Sequence, residues 1–161
     1  MHVLSRRLGL ALAAIVAAAV LAVSMADQAS AATSIVKIQN DATGSQRLNR
    51  VGTAVPRMIT AFGTSSKWVK TDTSSGYATY KSVSANVCLT GRQSTQGFNV
   101  VTIETCIAGS LQQQRRLGVA RDFQLRLNGL SAEVNLANPD RPLRMALFTG
   151  QPHQKFTITP A

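Results

Sequence analysis

The side chains able to do chemistry are few in this sequence, and they are scattered. Its 161 residues hold two histidines (His2 and His153), two cysteines (Cys88 and Cys106) and seven carboxylates. Beyond the N-terminal segment a Ser-His-Asp triad would have to use His153, and no Gly-x-Ser-x-Gly stretch presents a serine. Glycoside hydrolysis needs two carboxylates facing each other across a cleft. Asp41, Asp72, Glu104, Asp122, Glu133 and Asp140 form no such pattern. No glycine-rich phosphate loop and no His-Glu-x-x-His motif is present. Two cysteines cannot make a four-thiolate zinc site. The residue types therefore argue for a binding protein rather than an enzyme, with no cofactor and no resident metal.

Arginine is the most abundant group suited to binding. The formal net charge is +10, from 17 Lys and Arg against seven Asp and Glu. Arg115, Arg116, Arg121, Arg126, Arg141 and Arg144 fall within thirty residues of one another. A planar guanidinium fork suits carboxylate, sulfate and phosphate. An anionic cell-surface polymer is one expected partner, and plain solubility accounts for the charge equally well. His153, beside Pro152 in a turn, reads either as a solvated loop residue or as a hydroxyl donor.

The N-terminus is an address. Arg6-Arg7 precedes Leu8 to Val23, sixteen residues without a charged or polar side chain. A spanning helix needs about 20 apolar residues and a signal h-region about 7–15, so length alone does not decide. The flank does, because it turns polar and ends in Ala29-Ser30-Ala31, a small-x-small cleavage pattern. Cleavage after Ala31 is expected, against the alternative of a retained anchor. Residues 1–31 are then a signal peptide, and 32–161 form a secreted single domain of 130 residues with net charge +9, outside the membrane and monomeric. In an oxidising compartment Cys88 and Cys106 read as a disulfide enclosing 17 residues. A loop of about that length is worth roughly 3 kcal/mol. Export and the scarcity of aromatics (5% of residues) make nucleic acid an unfavoured partner.

The elements that must position these residues read as β structure. Phe123-Gln124-Leu125-Arg126-Leu127-Asn128 alternates cleanly, with Phe123, Leu125 and Leu127 on one face. Ile35 to Gln39, Asn99 to Glu104 and Lys155 to Thr159 are further short β-rich runs. Turn clusters separate them at Asn40 to Gly44, Asp72 to Gly76, Gly91 to Gly97, Asn138 to Pro142 and Thr149 to Pro152. Leu111 to Val119 is the one stretch with a helical reading. The runs also repeat. Ile35 aligns with Tyr77 at an offset of 42, and Tyr77 with Phe123 at 46. A leucine follows the turn in each copy, at Leu48, Leu89 and Leu136. Ser66-Lys67-Trp68 and Gln154-Lys155-Phe156 close copies 88 residues apart, and Gln112-Gln113-Gln114-Arg115 stands between them without an aromatic. Three copies of about 43 residues fill the 130.

An Asn-x-Ala-Thr-Gly turn at Asn40 to Gly44, a Cys88-Leu89 step with Cys106, and a Gln154-Lys155-Phe156 ending together resemble the ricin B-type lectin family. The resemblance covers the whole chain after residue 31. It implies an all-β fold, a β-trefoil of three pseudo-symmetric repeats and twelve strands, with shallow pockets for saccharides. It also implies that the Cys88–Cys106 disulfide lies within one repeat, and that Trp68, Tyr80, Phe123 and Phe156 fill the core.

In that family a pocket uses an acidic residue just after Cys-Leu, a Gln and an aromatic before the second Cys, and an Asn before Gln-x-Trp. Carboxylates and amides fix sugar hydroxyls, and the aromatic stacks on the sugar face. The matching positions are Thr90, Thr102, Glu104 and about Leu111 in the second copy, with Asn49 and Met58 in the first. The third copy matches best, with Asn138 or Asp140 near the acidic position, Arg144, and then His153-Gln154. A carbohydrate-binding function through Asn138, Asp140, Arg144, His153 and Gln154, degenerate and weak, is therefore expected. The alternatives are a protein-binding trefoil, such as a protease inhibitor using the loop from Gly91 to Gly97, or adhesion to an anionic polymer.

Overall fold

Each copy sends one large side chain inward from its first strand and another from its last. The computed structural model describes residues 31–52, 55–60, 63–93, 99–138 and 141–161. Among them lie twelve strands. The first copy holds β1 (Thr33–Asn40), β2 (Arg47–Val51), β3 (Val55–Ile59) and β4 (Trp68–Asp72). The second holds β5 (Ala78–Ser82), β6 (Val87–Gln93), β7 (Asn99–Thr105) and β8 (Gln114–Leu117). The third holds β9 (Phe123–Leu125), β10 (Ser131–Glu133), β11 (Arg144–Ala146) and β12 (Phe156–Pro160).

The outer strands of the copies form a barrel. β1 pairs with β4, β4 with β5, β5 with β8 and β8 with β9, all antiparallel. β12 returns to pair with β1 over Val36 to Asn40. The ring closes where Asp122 bridges Lys155 and the Phe156 amide donates to the Arg121 carbonyl at 2.8 Å. Closure leaves the barrel strands no free edge. The inner strands make three hairpins, β2–β3, β6–β7 and β10–β11. This is the β-trefoil that the family resemblance implied.

The interior repeats with the same symmetry. Ile38, Tyr80 and Phe123 enter from the first strand of each copy, and all are buried. Trp68 and Phe156 enter from the last strand. Tyr80 meets Phe123 edge-on at 5.1 Å between centroids, and Phe123 meets Phe156 at 5.8 Å. Burying each such aliphatic or phenyl side chain contributes roughly 2–3 kcal/mol. In the second copy the last-strand position is Arg115, which is fully buried. Its guanidinium carbon lies 5.3 Å from the Phe123 centroid, and its Nη2 lies 3.5 Å from Met145 Sδ. Its Nε and Nη1 have no hydrogen-bond partner. Burial therefore pulls the Arg115 pKa down to about 10, partly offset by Tyr80. Burial also pushes the Tyr80 hydroxyl above its usual range, with Asp72 adding to the shift.

The register of the third copy differs from the sequence reading. Leu48 and Leu89 pair with Met58 and Ile103, and the third member of that pattern is Ala132, paired with Met145. Leu136, which has the expected residue type, is 55% exposed, whereas Ala132 is fully buried. The clean alternation at Phe123 also stops early. β9 ends at Leu125 because Gly129, with φ 71°, turns the chain and donates to the Leu125 carbonyl. Leu127 is exposed as a result. The stretch read as helical from Leu111 carries β8 instead, because Ala78 and Thr79 draw it into the barrel.

The disulfide Cys88–Cys106 is formed, with Cα atoms 5.0 Å apart. It joins the β6–β7 hairpin of the second copy to the residue after β7. Residues 1–30, Asp140 and positions 94–97 of the Gly91 to Gly97 loop lie outside the described residues.

Candidate functional site

A buried glutamine organises the end of the second and third copies. In the third, Pro152 starts a 3-10 turn, Pro152–Gln154, that drops Gln154 inward just before β12. Gln154 Nε2 donates to Glu133 Oε2 and to the Leu147 carbonyl, both at 2.9 Å. Its Oε1 accepts from the Thr149 amide at 2.7 Å and the Thr149 hydroxyl at 2.9 Å. The second copy repeats the arrangement. Gln113 Nε2 donates to Thr90 Oγ1 at 3.0 Å and to the Thr105 carbonyl at 2.8 Å, and its Oε1 accepts from the Ile107 amide at 2.8 Å. The first copy has Ser66 at this place, and the Ser66 hydroxyl turns back to the Gly63 carbonyl at 2.8 Å.

The partner of that glutamine marks the acidic position in the second and third copies, Thr90 and Glu133, and Asn49 holds the matching place after Leu48 in the first. Asn49 and Thr90 were matched there from sequence. Glu133 was not, because its copy reads Ser131-Ala132-Glu133 where the second reads Cys88-Leu89-Thr90. With no cysteine and no leucine, nothing in the local sequence announces the step. Counting back from the closing glutamine finds it, since Thr90 precedes Gln113 by 23 residues and Glu133 precedes Gln154 by 21.

Glu133 opens onto a shallow pocket of about 260 Å³. Val134, Asn135, Leu136, Ala137, Arg144 and His153 complete its lining. His153 Nε2 lies 3.6 Å from Glu133 Oε2. Arg144 faces Glu133 across the β10–β11 pair. The turn carrying His153 is anchored from the first copy, where buried Asn40 donates from Nδ2 to the carbonyls of His153 and Lys155 at 3.0 and 2.9 Å. The Val134 amide also donates to the His153 carbonyl, at 3.0 Å. The pocket thus combines a carboxylate, an imidazole and a guanidinium on a fixed backbone. Such a set can accept from and donate to sugar hydroxyls.

Of the residues expected here, Arg144 and His153 line the pocket. Gln154 lies behind it, with both amide atoms engaged inside the protein. Asn138 lies on an exposed turn, its amide donating to the Asn135 carbonyl at 3.1 Å, and is not part of the lining. Asp140 is not described. At the place where the family carries an aromatic, two residues past Arg144 on β11, this chain has Ala146.

The other two copies are arranged differently. In the second, Glu104 is taken up by the protein itself. Arg92 grips it from Nε at 2.7 Å and from Nη2 at 2.6 Å, and Thr102 donates to it at 2.9 Å. The Arg92 hydrogen bond holds the Glu104 carboxyl below its usual range, against opposing desolvation. In the first copy Ser65 donates to Asn49 Oδ1 at 3.2 Å, and no carboxylate occupies the acidic position. Among the described residues no group of three or more His, Cys, Asp or Glu is placed to hold a metal.

The architecture has solved counterparts. The designed three-fold symmetric protein ThreeFoil superposes with a TM-score of 0.68 at 14% identity, over 79% of this chain and 99% of its own. The ricin B-like lectin of Macrolepiota procera, in complex with lactose, gives 0.64 at 14% identity, over 79% and 95%. The agglutinin of Abrus precatorius gives 0.67 at 14% identity, over 80% of this chain and 48% of that one, so this chain spans about half of its length. No protein-family model matches the sequence, and no curated sequence matches it. The chain has the β-trefoil fold seen in ricin B-like lectins.

Proposed function

We propose that this protein is a secreted carbohydrate-binding module that holds a saccharide in the third-copy pocket. Glu133 accepts sugar hydroxyls, His153 and Arg144 donate to them, and Gln154 fixes the carboxylate from behind. The observation that carries this reading is the Gln154–Glu133 hydrogen bond beneath a pocket also lined by His153 and Arg144. The lactose complex of a similarly folded lectin supports a sugar as the ligand. Binding is weak and without catalysis, because Ala146 offers no stacking face and the pocket has a single carboxylate among its described lining. Residues 1–31 act as the export signal in this account, and the mature chain begins at Ala32.

The test is a saccharide array followed by calorimetry on the mature chain. Saturable binding that falls about tenfold or more in Glu133→Gln fits the loss of charge-assisted hydrogen bonds. Absence of saturable binding to any saccharide, with the melting transition intact, refutes the reading.

A further inference from the structure

Away from the Glu133 pocket, the barrel wall between the second and third copies carries two arginines against one aromatic ring. Tyr77 precedes β5, Arg116 lies in β8 and Arg126 follows β9. Strand pairing draws them together, since Ala78 faces Arg115 across β5–β8 and Arg116 faces Gln124 across β8–β9. The guanidinium carbons of Arg116 and Arg126 lie 5.3 and 5.4 Å from the Tyr77 ring centroid. Each fork is also held by a side-chain amide. Arg116 Nε donates to Gln124 Oε1 at 2.9 Å, and Arg126 Nη1 donates to Gln114 Oε1 at 2.5 Å.

These partners orient the two charges without neutralising them. Among the described residues, ion pairs join Lys70 to Asp72, Arg92 to Glu104 and Arg121 to Asp41. Among the described residues neither Arg116 nor Arg126 has an acidic partner, and both are exposed. Two like charges set around one ring repel each other, so an arriving anion gains from both. The remaining N–H groups of the two forks keep the geometry that suits an oxyanion.

We propose that Arg116, Arg126 and Tyr77 form a second binding site, for the carboxylate or sulfate groups of an acidic polysaccharide. The anion half of this assignment rests on the two forks alone. The saccharide half rests on the reading of the third-copy pocket given above. Nucleic acid fits less well. The Tyr77 ring is already covered by guanidinium groups, and the exposed large apolar side chains are all aliphatic, which leaves bases no free platform among the described residues.

The test titrates the mature chain at physiological salt with polygalacturonate, heparin, neutral dextran and oligothymidylate. Binding to either of the first two, or both, supports the site, and the pair separates carboxylate from sulfate recognition. Arg116→Lys/Arg126→Lys keeps both charges and removes both forks, so affinity for the anionic polysaccharide falls about tenfold. Lys37→Gln/Lys67→Gln removes two charges from the first copy and changes it less than about threefold. Each variant is first confirmed folded by its melting transition. Glu133→Gln leaves anionic binding unchanged whatever it does to neutral sugars, so the two sites fail or survive separately. Three results overturn the proposal: no binding to either anionic polysaccharide, equal losses in the arginine and lysine variants, or tightest binding to oligothymidylate.

Discussion

The second and third copies build the same closing turn and use it in opposite ways. Gln113 and Gln154 are both buried, and each reaches back to the acidic position of its own copy. In the second copy that position is Thr90, and the hairpin carboxylate Glu104 is locked by Arg92 and Thr102. In the third it is Glu133, which lies in a pocket beside His153 and Arg144. The scaffold supplies the same amide anchor to both copies. On the proposed reading, ligand capacity is decided by one residue type after the apolar step, and by whether the nearby carboxylate is gripped by an arginine of its own hairpin. The second copy is also the strapped one. It carries the Cys88–Cys106 disulfide, whereas the third has Ser131 at the matching position.

The strap gives the largest expected effect. Replacing both cysteines by serine should cost about 3 kcal/mol in chemical denaturation, by the loop-closure argument. An unchanged midpoint would mean that the hairpin is held by its strand pairing alone.

Arg115 is the next largest. It occupies the place that Trp68 and Phe156 hold in the other copies, and its depressed pKa implies a burial cost on the order of 3 kcal/mol. Arg115→Met should therefore stabilise the fold by about 1–4 kcal/mol. The sign with pH is also set. The unfolded chain holds this proton more tightly than the native one, so the destabilisation is complete below about pH 10 and lifts as pH rises above it. Over the same window the Tyr80 hydroxyl, with its raised pKa, loses stability as pH rises, so the two slopes oppose each other in the wild type, and Arg115→Met should fall more steeply above pH 10 than the wild type does. A destabilised Arg115→Met would show that the guanidinium contributes more than it costs.

A smaller effect separates the acidic positions of the two copies. Glu133→Gln should weaken saccharide binding about tenfold, while Thr90→Ala should leave it unchanged. Equal effects would erase the distinction between the copies. Ala146→Trp sharpens it from the other side, since a stacking face should strengthen binding by roughly 1 kcal/mol.

The smallest effect concerns the second-copy ion pair. Glu104 has a lowered native pKa, so its contribution is full above the ordinary value of 4.5 and is lost as pH falls through the native one. The pair is largely exposed and worth little. Glu104→Gln should flatten a shallow acid slope in thermal melts and leave stability at neutral pH nearly unchanged.

Much of this fold could be read from residue spacing. The offset from Ile35 to Tyr77, the paired cysteines and the endings at Trp68 and Phe156 mark copies, because each copy must bury the same kinds of side chain at the same places. The site was harder to read. In the third copy the buried apolar step is Ala132, a residue too small to stand out, while Leu136 four residues later has the expected type and lies on the surface. Following Leu136 moved the acidic position to Asn138 and Asp140 and passed over Glu133. Arg115 was hidden for a related reason. A core position filled by arginine carries no hydrophobic signal, and only its place in β8 reveals it.

The central claim is tested most directly by nuclear magnetic resonance of the ¹⁵N-labelled mature chain titrated with lactose and with cellobiose. The account predicts saturable shifts confined to the amides around Glu133, Arg144 and His153, with those around Thr90, Arg92 and Glu104 unmoved. Shifts centred on the second copy, or none with either sugar, would contradict it.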